Sequence, residues 1–183
     1  SSCSVYGIMD KGAKNEESQL NPLTAYSQSK ILCENGLKEL VNKEFSITCL
    51  RFSTACGYSP RLRLDLVLND FVASALINKK IELLSDGSAW RPIIDVKDMS
   101  RSIFWAISRD VSDKSFLALN VGKDDWNFTI KNLAESVKKM IPNVDISFAK
   151  DASPDKRSYR VDFSLFKSLA PDHQPIQKIY NTI

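Results

Sequence analysis

The chain has 183 residues, of which 43% are hydrophobic and 26% are charged, the proportions of a globular domain with its own core. Its formal net charge of +3 is too small to favour a nucleic-acid partner. No apolar run approaches the roughly 18 residues of a membrane span, and no signal peptide is visible, so we expect a cytoplasmic protein without a membrane partner.

Metal binding is not expected from the cysteine and histidine content. The four cysteines are Cys3, Cys33, Cys49 and Cys56. They show no Cys-x-x-Cys spacing, and the single histidine, His173, cannot build a zinc site alone.

The chain opens with small hydroxyl residues, an apolar–aromatic pair and a glycine, in residues 1–7. This pattern predicts the end of a strand that runs into a tight turn. Residues 8–20 are polar and predict a surface loop. The Asn-Pro pair at 21–22 predicts a turn before a helix, since the residue ahead of proline is driven out of the α region.

Tyr26 and Lys30 are one helical turn apart and therefore share a face of the predicted helix. An ammonium beside a phenol favours the ionised phenol, as a proton-transfer role near neutral pH requires. Alone, the pair also fits a surface tyrosine beside a solvated lysine. The helical periodicity predicts that Tyr26, Lys30, Cys33, Leu37 and Leu40 form one stripe.

Taken together, residues 1–7 and 21–30 resemble the extended short-chain dehydrogenase/reductase family, specifically its NAD-dependent nucleotide-sugar epimerases and dehydratases. The resemblance implies that Tyr26 is the acid/base and that Lys30 holds the nicotinamide ribose and tunes Tyr26. It also implies that Ser2 hydrogen-bonds the reacting sugar oxygen. The implied ligands are NAD or NADP and a nucleotide-diphosphate sugar, and the implied assembly is a homodimer through the Tyr26–Lys30 helix.

No Gly-x-x-Gly-x-x-Gly phosphate loop occurs in the 183 residues. The resemblance, without that loop, implies an α/β fold: the C-terminal part of a doubly wound, Rossmann-type sheet in residues 1–60, then a smaller α/β nucleotide-sugar-binding region in residues 61–183. Residues from about 93 to 125 should pack back on the Rossmann part. Without its phosphate loop, we expect this C-terminal portion to be inactive alone.

Residues 46–52 are rich in β-formers and predict a strand, followed by a turn at 57–60. By the resemblance, Thr54 occupies the position of a usual asparagine that contacts the substrate, which implies altered specificity.

Arg61 and Arg63 precede a predicted helix, where they either clamp a diphosphate through bidentate forks or form a solvated basic turn. That helix is expected to carry Leu64, Leu68, Phe71 or Val72, and Ala75. Relatives use polar residues near the position of Asn69 for the nucleotide, which makes Asn69 a candidate contact.

Residues 81–85 predict a strand, and residues 90–98 resemble a family segment whose arginine contacts the nucleotide diphosphate. The matching residue is Arg91, for which a structural ion pair is the alternative. Asp98 is predicted to cap the next helix. The inward residues of that helix are expected to be Ile103, Phe104 and Ile107.

Residues 116–122 and 145–149 predict two further strands, and Thr129 predicts the cap of a helix between them. The core stripe of that helix is expected to be Ile130, Leu133, Val137 and Ile141. Residues 154–162 resemble the last substrate segment of the family, with Ala152 near the position of its phosphate-binding arginine. Arg157 or Arg160 are candidate substitutes, with surface charges as the alternative. Residues 163–183 predict a short helix, a turn and the start of another helix.

Dehydratases of this family carry acidic residues directly after the catalytic serine or threonine, where this chain has Cys3 and Ser4. The sequence therefore favours an epimerase or ketoreductase over a 4,6-dehydratase. The alternatives are a non-catalytic dinucleotide sensor and a reductase of non-nucleotide substrates. The intact Ser2–Tyr26–Lys30 set disfavours the first, and the arginines disfavour the second.

Overall fold

The structure, a computed structural model, describes residues 1–8, 12–111 and 115–183. The helices are α1 (Ala25–Leu40), α2 (Val67–Asn78), α3 (Val96–Ser108), α4 (Ile130–Met140), α5 (Ser164–Leu169) and α6 (Ile179–Thr182). The strands are β1 (Ile47–Phe52), β2 (Thr54–Cys56), β3 (Lys80–Ser85), β4 (Trp90–Asp95), β5 (Phe116–Val121), β6 (Asn127–Thr129) and β7 (Asp145–Ser153). Short 3₁₀ turns lie at Cys3–Tyr6, Asp124–Trp126 and Pro171–His173. The predicted α/β class is confirmed.

The first sheet is parallel and lies next to the start of the chain. β1 pairs with β5 in register from Ile47 opposite Phe116 to Phe52 opposite Val121. Ser2 forms a further parallel bridge with Phe52. Parallel neighbours need crossover connections, which α1 provides between Ser2 and β1. This is the arrangement of a doubly wound sheet.

The other strands form a three-stranded sheet and a two-stranded sheet. β2 follows β1 after a single residue, Ser53, and pairs in parallel with β4, which pairs antiparallel with β6. β3 pairs in parallel with β7. Because β1 and β2 are nearly continuous, Thr54 lies where the first sheet passes into the second.

The helix after Thr129 forms as predicted. Thr129 caps it by accepting a hydrogen bond from the Asn132 amide at 3.1 Å. Leu133 and Val137 are fully buried against Leu68 and Phe71 of α2. The i, i+4 spacing places both side chains on the face that meets this core.

The stripe predicted on α1 is not the buried face of the helix. Tyr26 and Leu40 are 56% and 58% exposed, whereas the buried residues of the helix are Ser27 and Glu34. A polar side chain turns inward because Glu34 pairs with the buried Arg51 of β1. Hydrophobic periodicity alone therefore does not identify the buried face of this helix.

The predicted inward face of α3 is wrong. Phe104 and Ile107 are 66% and 81% exposed, and Ile103 is exposed as well. Asp98, Ser102 and Trp105 are buried instead. The helix is rotated by about one residue from the predicted stripe, because Trp105 packs edge-on against Phe166 of α5.

Asp98 does not cap α3, contrary to the sequence expectation. The cap is Asp95, whose carboxylate accepts a bond from the Lys97 amide at 2.8 Å. Asp98 instead accepts bonds from the backbone amides of Ile176 and Gln177, and it thereby holds the C-terminal segment. A second helix boundary also differs, since α2 begins at Val67 and leaves Leu64 outside it.

Gly7→Ala should lower the free energy of unfolding by at least about 2 kcal/mol. Gly7 has φ of +63°, and a Cβ there would collide with the backbone carbonyl of Asn21. Gly12 is the matched control, because its φ is +64° and a Cβ there meets nothing within 4 Å. Urea unfolding of both variants separates the two costs. Equal losses for Gly7→Ala and Gly12→Ala would contradict the steric argument.

Candidate active site

Tyr26 and Lys30 are brought together at the start of α1. Thr24 caps the helix: its hydroxyl accepts from the Ser27 amide at 3.1 Å, and the Ser27 hydroxyl accepts from the Thr24 amide at the same distance. This reciprocal box fixes Tyr26 in the first turn. The Lys30 ammonium nitrogen lies 5.1 Å from the centroid of the Tyr26 ring, within cation–π range.

Ser2 caps the 3₁₀ turn Cys3–Tyr6. Its hydroxyl oxygen accepts a hydrogen bond from the Ser4 amide at 3.2 Å. The Ser4 hydroxyl oxygen is buried and has no hydrogen-bond partner among the described residues. In the sequence, Ser4 stands out only as a position without an acid, and no residue pattern indicates its unpaired hydroxyl.

A cavity of about 310 Å³ lies beside Tyr26. It is lined by Ser4, Gly7, Leu23, Thr24, Tyr26, Ser27, Arg91, Arg157 and Tyr159. Ser4 therefore faces the same space as the tyrosine, and Ser2 adjoins it along the chain. None of the described residues that line this cavity is a carboxylic acid.

A larger cavity of about 540 Å³ adjoins the first. Its lining includes Thr54, Asp65, Phe71, Glu82, Leu84 and Asp155, together with Arg91 and Arg157. The two arginines line both cavities and therefore stand where they meet. A third cavity of about 350 Å³ shares Phe71, Glu82 and Leu84 with the second. We call these three adjoining cavities together the groove.

Arg91 is held firmly at this junction. Its side chain is 12% exposed, and its Nη2 donates to an Asp155 carboxylate oxygen at 2.9 Å. Its Nη1 donates to the carbonyl oxygens of Trp90 and Arg157, and its guanidinium lies over the Tyr159 ring. Burial lowers the pKa of Arg91 from its ordinary value. Arg91 therefore forms an ion pair with Asp155 and also lines both cavities.

Arg157 shares the same carboxylate. Its Nε and Nη2 lie 3.1 and 3.0 Å from the oxygens of Asp155. Burial raises the pKa of Asp155, but hydrogen bonds from Arg157 and the charge of Arg91 outweigh it, so this pKa lies below the ordinary value. Two guanidiniums against one carboxylate leave a net positive charge at the junction, which suits an anion with several oxygens.

The remaining predicted binding residues fall into separate places. Thr54 lines the larger cavity. Arg63 pairs with Asp65 at 2.6 Å in an exposed ion pair, and only Asp65 lines that cavity. Asn69 donates to the Arg63 carbonyl and accepts from the Gly57 amide, so it holds two loops together. These contacts give Asn69 a structural role outside the groove.

Arg160 lies outside these cavities. Its guanidinium lies 5.1 Å from the centroid of the Trp90 ring, and its Nε is buried without a hydrogen-bond partner among the described residues. Of the two candidate arginines in residues 154–162, Arg157 is the one that reaches the groove.

The loop over the site is attached to the same segment. Ile8 and Lys14 form parallel bridges with Ser158 and Val161, and Lys14 is 8% exposed. The predicted surface loop is therefore anchored at these two points, while residues 9–11 of it lie outside the described residues.

The described ranges hold no group of three or more histidine, cysteine, aspartate or glutamate side chains suited to a metal ion. Within the same residues, no helix has both the length and the apolar character to cross a bilayer.

The parallel β1–β5 pairing, with α1 as a crossover helix that carries the Tyr–Lys pair in its first turns, is typical of a doubly wound α/β fold. The model of the NAD dependent epimerase/dehydratase family matches residues 1–122, and the chain belongs to that family.

Solved structures with the same fold include MoeE5 in complex with UDP-glucose and NAD, at 24% identity and a TM-score of 0.81 over the whole chain. The UDP-N-acetylglucosamine 4-epimerase of Methanobrevibacter ruminantium M1 is 21% identical, with a TM-score of 0.80. The UDP-glucuronic acid 4-epimerase of Bacillus cereus is 23% identical, with a TM-score of 0.78. The present chain covers 60%, 59% and 57% of these three chains, respectively.

Proposed function

We propose that this chain supplies the acid/base tyrosine and the substrate groove of an NAD(P)-dependent epimerase or ketoreductase that acts on a nucleotide-diphosphate sugar. The observation that carries the proposal is the position of Arg91 and Arg157 between the cavity of Tyr26 and the larger cavity. A diphosphate on these guanidiniums directs the sugar toward Tyr26 and the nucleoside toward Phe71 and Leu84. The family and the ligands of the solved relatives support this assignment.

Tyr26 takes the proton of a sugar hydroxyl and later returns one. The Lys30 ammonium offsets the negative charge that develops on the phenol oxygen during the transfer. The Ser2 hydroxyl accepts a bond from the Ser4 amide and still has its own proton to donate to the sugar oxygen. The unpaired Ser4 hydroxyl supplies a second donor on the same side.

The donor set at the start of α1 also fits one part of NAD. The Lys30 ammonium and the Tyr26 hydroxyl suit the two hydroxyls of the nicotinamide ribose. When bound, the cofactor accepts and returns the hydride that accompanies the proton transfer. The glycine-rich pyrophosphate loop does not occur in these 183 residues, so turnover is assigned to the complete protein.

The Tyr26 cavity supports oxidation and reduction rather than elimination of water. Elimination needs a general acid for the leaving hydroxyl, and the described lining residues include no carboxylic acid. Cys3, next to Ser2, is buried and donates to the Arg51 carbonyl. Burial raises the pKa of Cys3 to about 12, which makes the thiol a poor acid at neutral pH.

The proposal also covers the assembly of the protein and the division of the chain into two parts. A homodimer through α1 is supported by the outer face of that helix, where Leu32 is 70% and Leu40 is 58% exposed. A division into residues 1–60 and 61–183, with 93–125 returning to the first part, is supported by the β1–β5 pairing.

Thermal-shift assays of the complete protein test the ligand class. Nucleotide-diphosphate sugars should stabilise the protein by about 2.7 kcal/mol at a concentration of 100 Kd, whereas free sugars should not. Turnover is followed with NAD present, by proton NMR for epimerised sugar and by absorbance for NADH. Stabilisation by NAD without turnover of any sugar would favour the sensor alternative. Turnover of substrates that lack a diphosphate would favour the reductase alternative.

A further inference from the structure

A charged pair is buried between α1 and β1. The Arg51 Nε lies 2.9 Å from Glu34 Oε1, and its Nη2 lies 2.6 Å from Glu34 Oε2. The two side chains are only 7% and 6% exposed. Burial tends to raise the pKa of Glu34, but hydrogen bonds from Arg51 outweigh it, so this pKa is lowered and the carboxylate is charged. The proposed chemistry uses neither group.

The pair continues into a chain of buried hydrogen bonds. The remaining Arg51 Nη1 donates to the Tyr6 hydroxyl at 3.1 Å, and that hydroxyl donates to Asn120 Oδ1 at 2.7 Å. Tyr6 and Asn120 are both fully buried. Asn120 Nδ2 donates in turn to the Asp162 carbonyl, so each polar side-chain atom of these four residues has a partner, as a buried network requires.

These four residues connect the elements that carry the proposed catalytic groups. Glu34 follows Lys30 by one turn on α1. Tyr6 is the last residue of the 3₁₀ turn that Ser2 caps. Arg51 and Asn120 lie opposite each other on β1 and β5. The network thus fastens α1 and the 3₁₀ turn to one position on the same sheet.

Stability alone gives little reason for such a pair. Apolar residues of similar volume often replace a buried ion pair with no loss of stability, because desolvation offsets the Coulombic attraction. A bidentate fork, in contrast, fixes both direction and distance. Ser27 and Glu34 are the only buried residues of α1, which the structure describes in full, so polar contacts set the rotation of this helix.

We propose that the Glu34–Arg51–Tyr6–Asn120 network is positioning machinery that sets the rotation of α1 against the 3₁₀ turn, and so the placement of Tyr26 relative to Ser2. This inference rests on the proposed function for its catalytic meaning. The four residues act through the catalytic groups, and Arg91 and the substrate groove are separate from them.

The test is the double variant Glu34→Leu/Arg51→Met in the complete protein. We expect a melting temperature close to that of the wild type, a kcat about 10- to 100-fold lower, and a KM changed by less than about threefold. Leu133→Ala is the control, because it destabilises the separate core under α4 and should leave kcat unchanged. A double variant with wild-type kcat would overturn the proposal.

Tyr6→Phe provides a smaller change if the double variant does not fold. It deletes one hydroxyl, so that the link between Arg51 and Asn120 is broken while the ring is kept. A kcat about tenfold lower with an unchanged KM is expected. An unchanged kcat would count against positioning through Tyr6.

Amide hydrogen exchange tests the positioning role of the network without an assay of turnover. The Gly7 amide donates to the Ser4 carbonyl, and the Ser27 amide donates to the Thr24 hydroxyl. Both amides should exchange at least about tenfold faster in the double variant than in Leu133→Ala. Equal exchange in the two variants would overturn the positioning role. A wild-type protein that turns over no nucleotide sugar would instead refute only the proposed function.

Discussion

Replacing Tyr26 with phenylalanine should lower kcat in the complete protein by about 10²- to 10⁴-fold, the usual contribution of a positioned acid/base group. The phenylalanine ring keeps the contact with the Lys30 ammonium, which lies 5.1 Å from the centroid. The side chain is 56% exposed, so the loss of the hydroxyl should not affect folding. Binding of the nucleotide sugar should remain, because Arg91 and Arg157 are unchanged.

Tyr180→Phe is the matched control for this variant. Tyr180 is 50% exposed on α6 and lies outside the three cavities, so its hydroxyl should be dispensable. Steady-state kinetics give kcat, and the thermal shift with substrate gives binding. A Tyr26→Phe variant with kcat within twofold of the wild type would contradict the acid/base assignment.

Local spacing was enough to predict that Tyr26 and Lys30 are neighbours. Residues at i and i+4 of a helix must be neighbours, and Tyr26 and Lys30 meet for that reason alone. The Thr129 cap was predictable in the same way, since its hydroxyl acts within one turn. These features depend on few neighbouring residues, and the sequence contains all of them.

The rotations of α1 and α3 were not predictable from periodicity. The partner of Glu34 is Arg51, 17 residues away on β1. Unless that partner is known, a glutamate is expected on the surface. Asp98 similarly turns inward because it accepts bonds from amides 78 and 79 residues further on. Contacts between distant segments set both buried faces, through a polar pair for α1 and through Asp98 and the Trp105–Phe166 contact for α3, and a hydrophobic pattern carries no information about them.

In the candidate site, too, some residues were predictable from the local sequence and others depended on distant contacts. Arg91 was predicted on its segment, but the choice between Arg157 and Arg160 depended on tertiary contacts. Arg157 turns to Asp155, which Arg91 also binds, whereas Arg160 turns to Trp90. The two arginines are three residues apart in an irregular segment, where no helical or strand period assigns them to a face.

Arg91→Gln should weaken binding of the nucleotide sugar by about 2–3 kcal/mol, or roughly 30- to 150-fold in Kd, the value of a charge-assisted bidentate contact. The reason is the place of the guanidinium between the Tyr26 cavity and the largest of the three cavities, where a diphosphate would meet it and Arg157. Arg91→Lys keeps the charge but loses the planar fork, and it should fall between the wild type and Arg91→Gln.

The control for the arginine variants is Arg101→Gln. Arg101 lies on α3, where its Nη2 donates to the Asp172 carbonyl at 3.1 Å, outside the three cavities of the groove. Calorimetric titration of each variant with a nucleotide-diphosphate sugar separates the two roles of Arg91. If Arg91 served only its ion pair with Asp155, Arg91→Gln would lower the melting temperature and leave Kd unchanged. A raised Kd at an intact fold requires the guanidinium to bind the ligand, because the remaining ion pair of Asp155 with Arg157 still holds that segment.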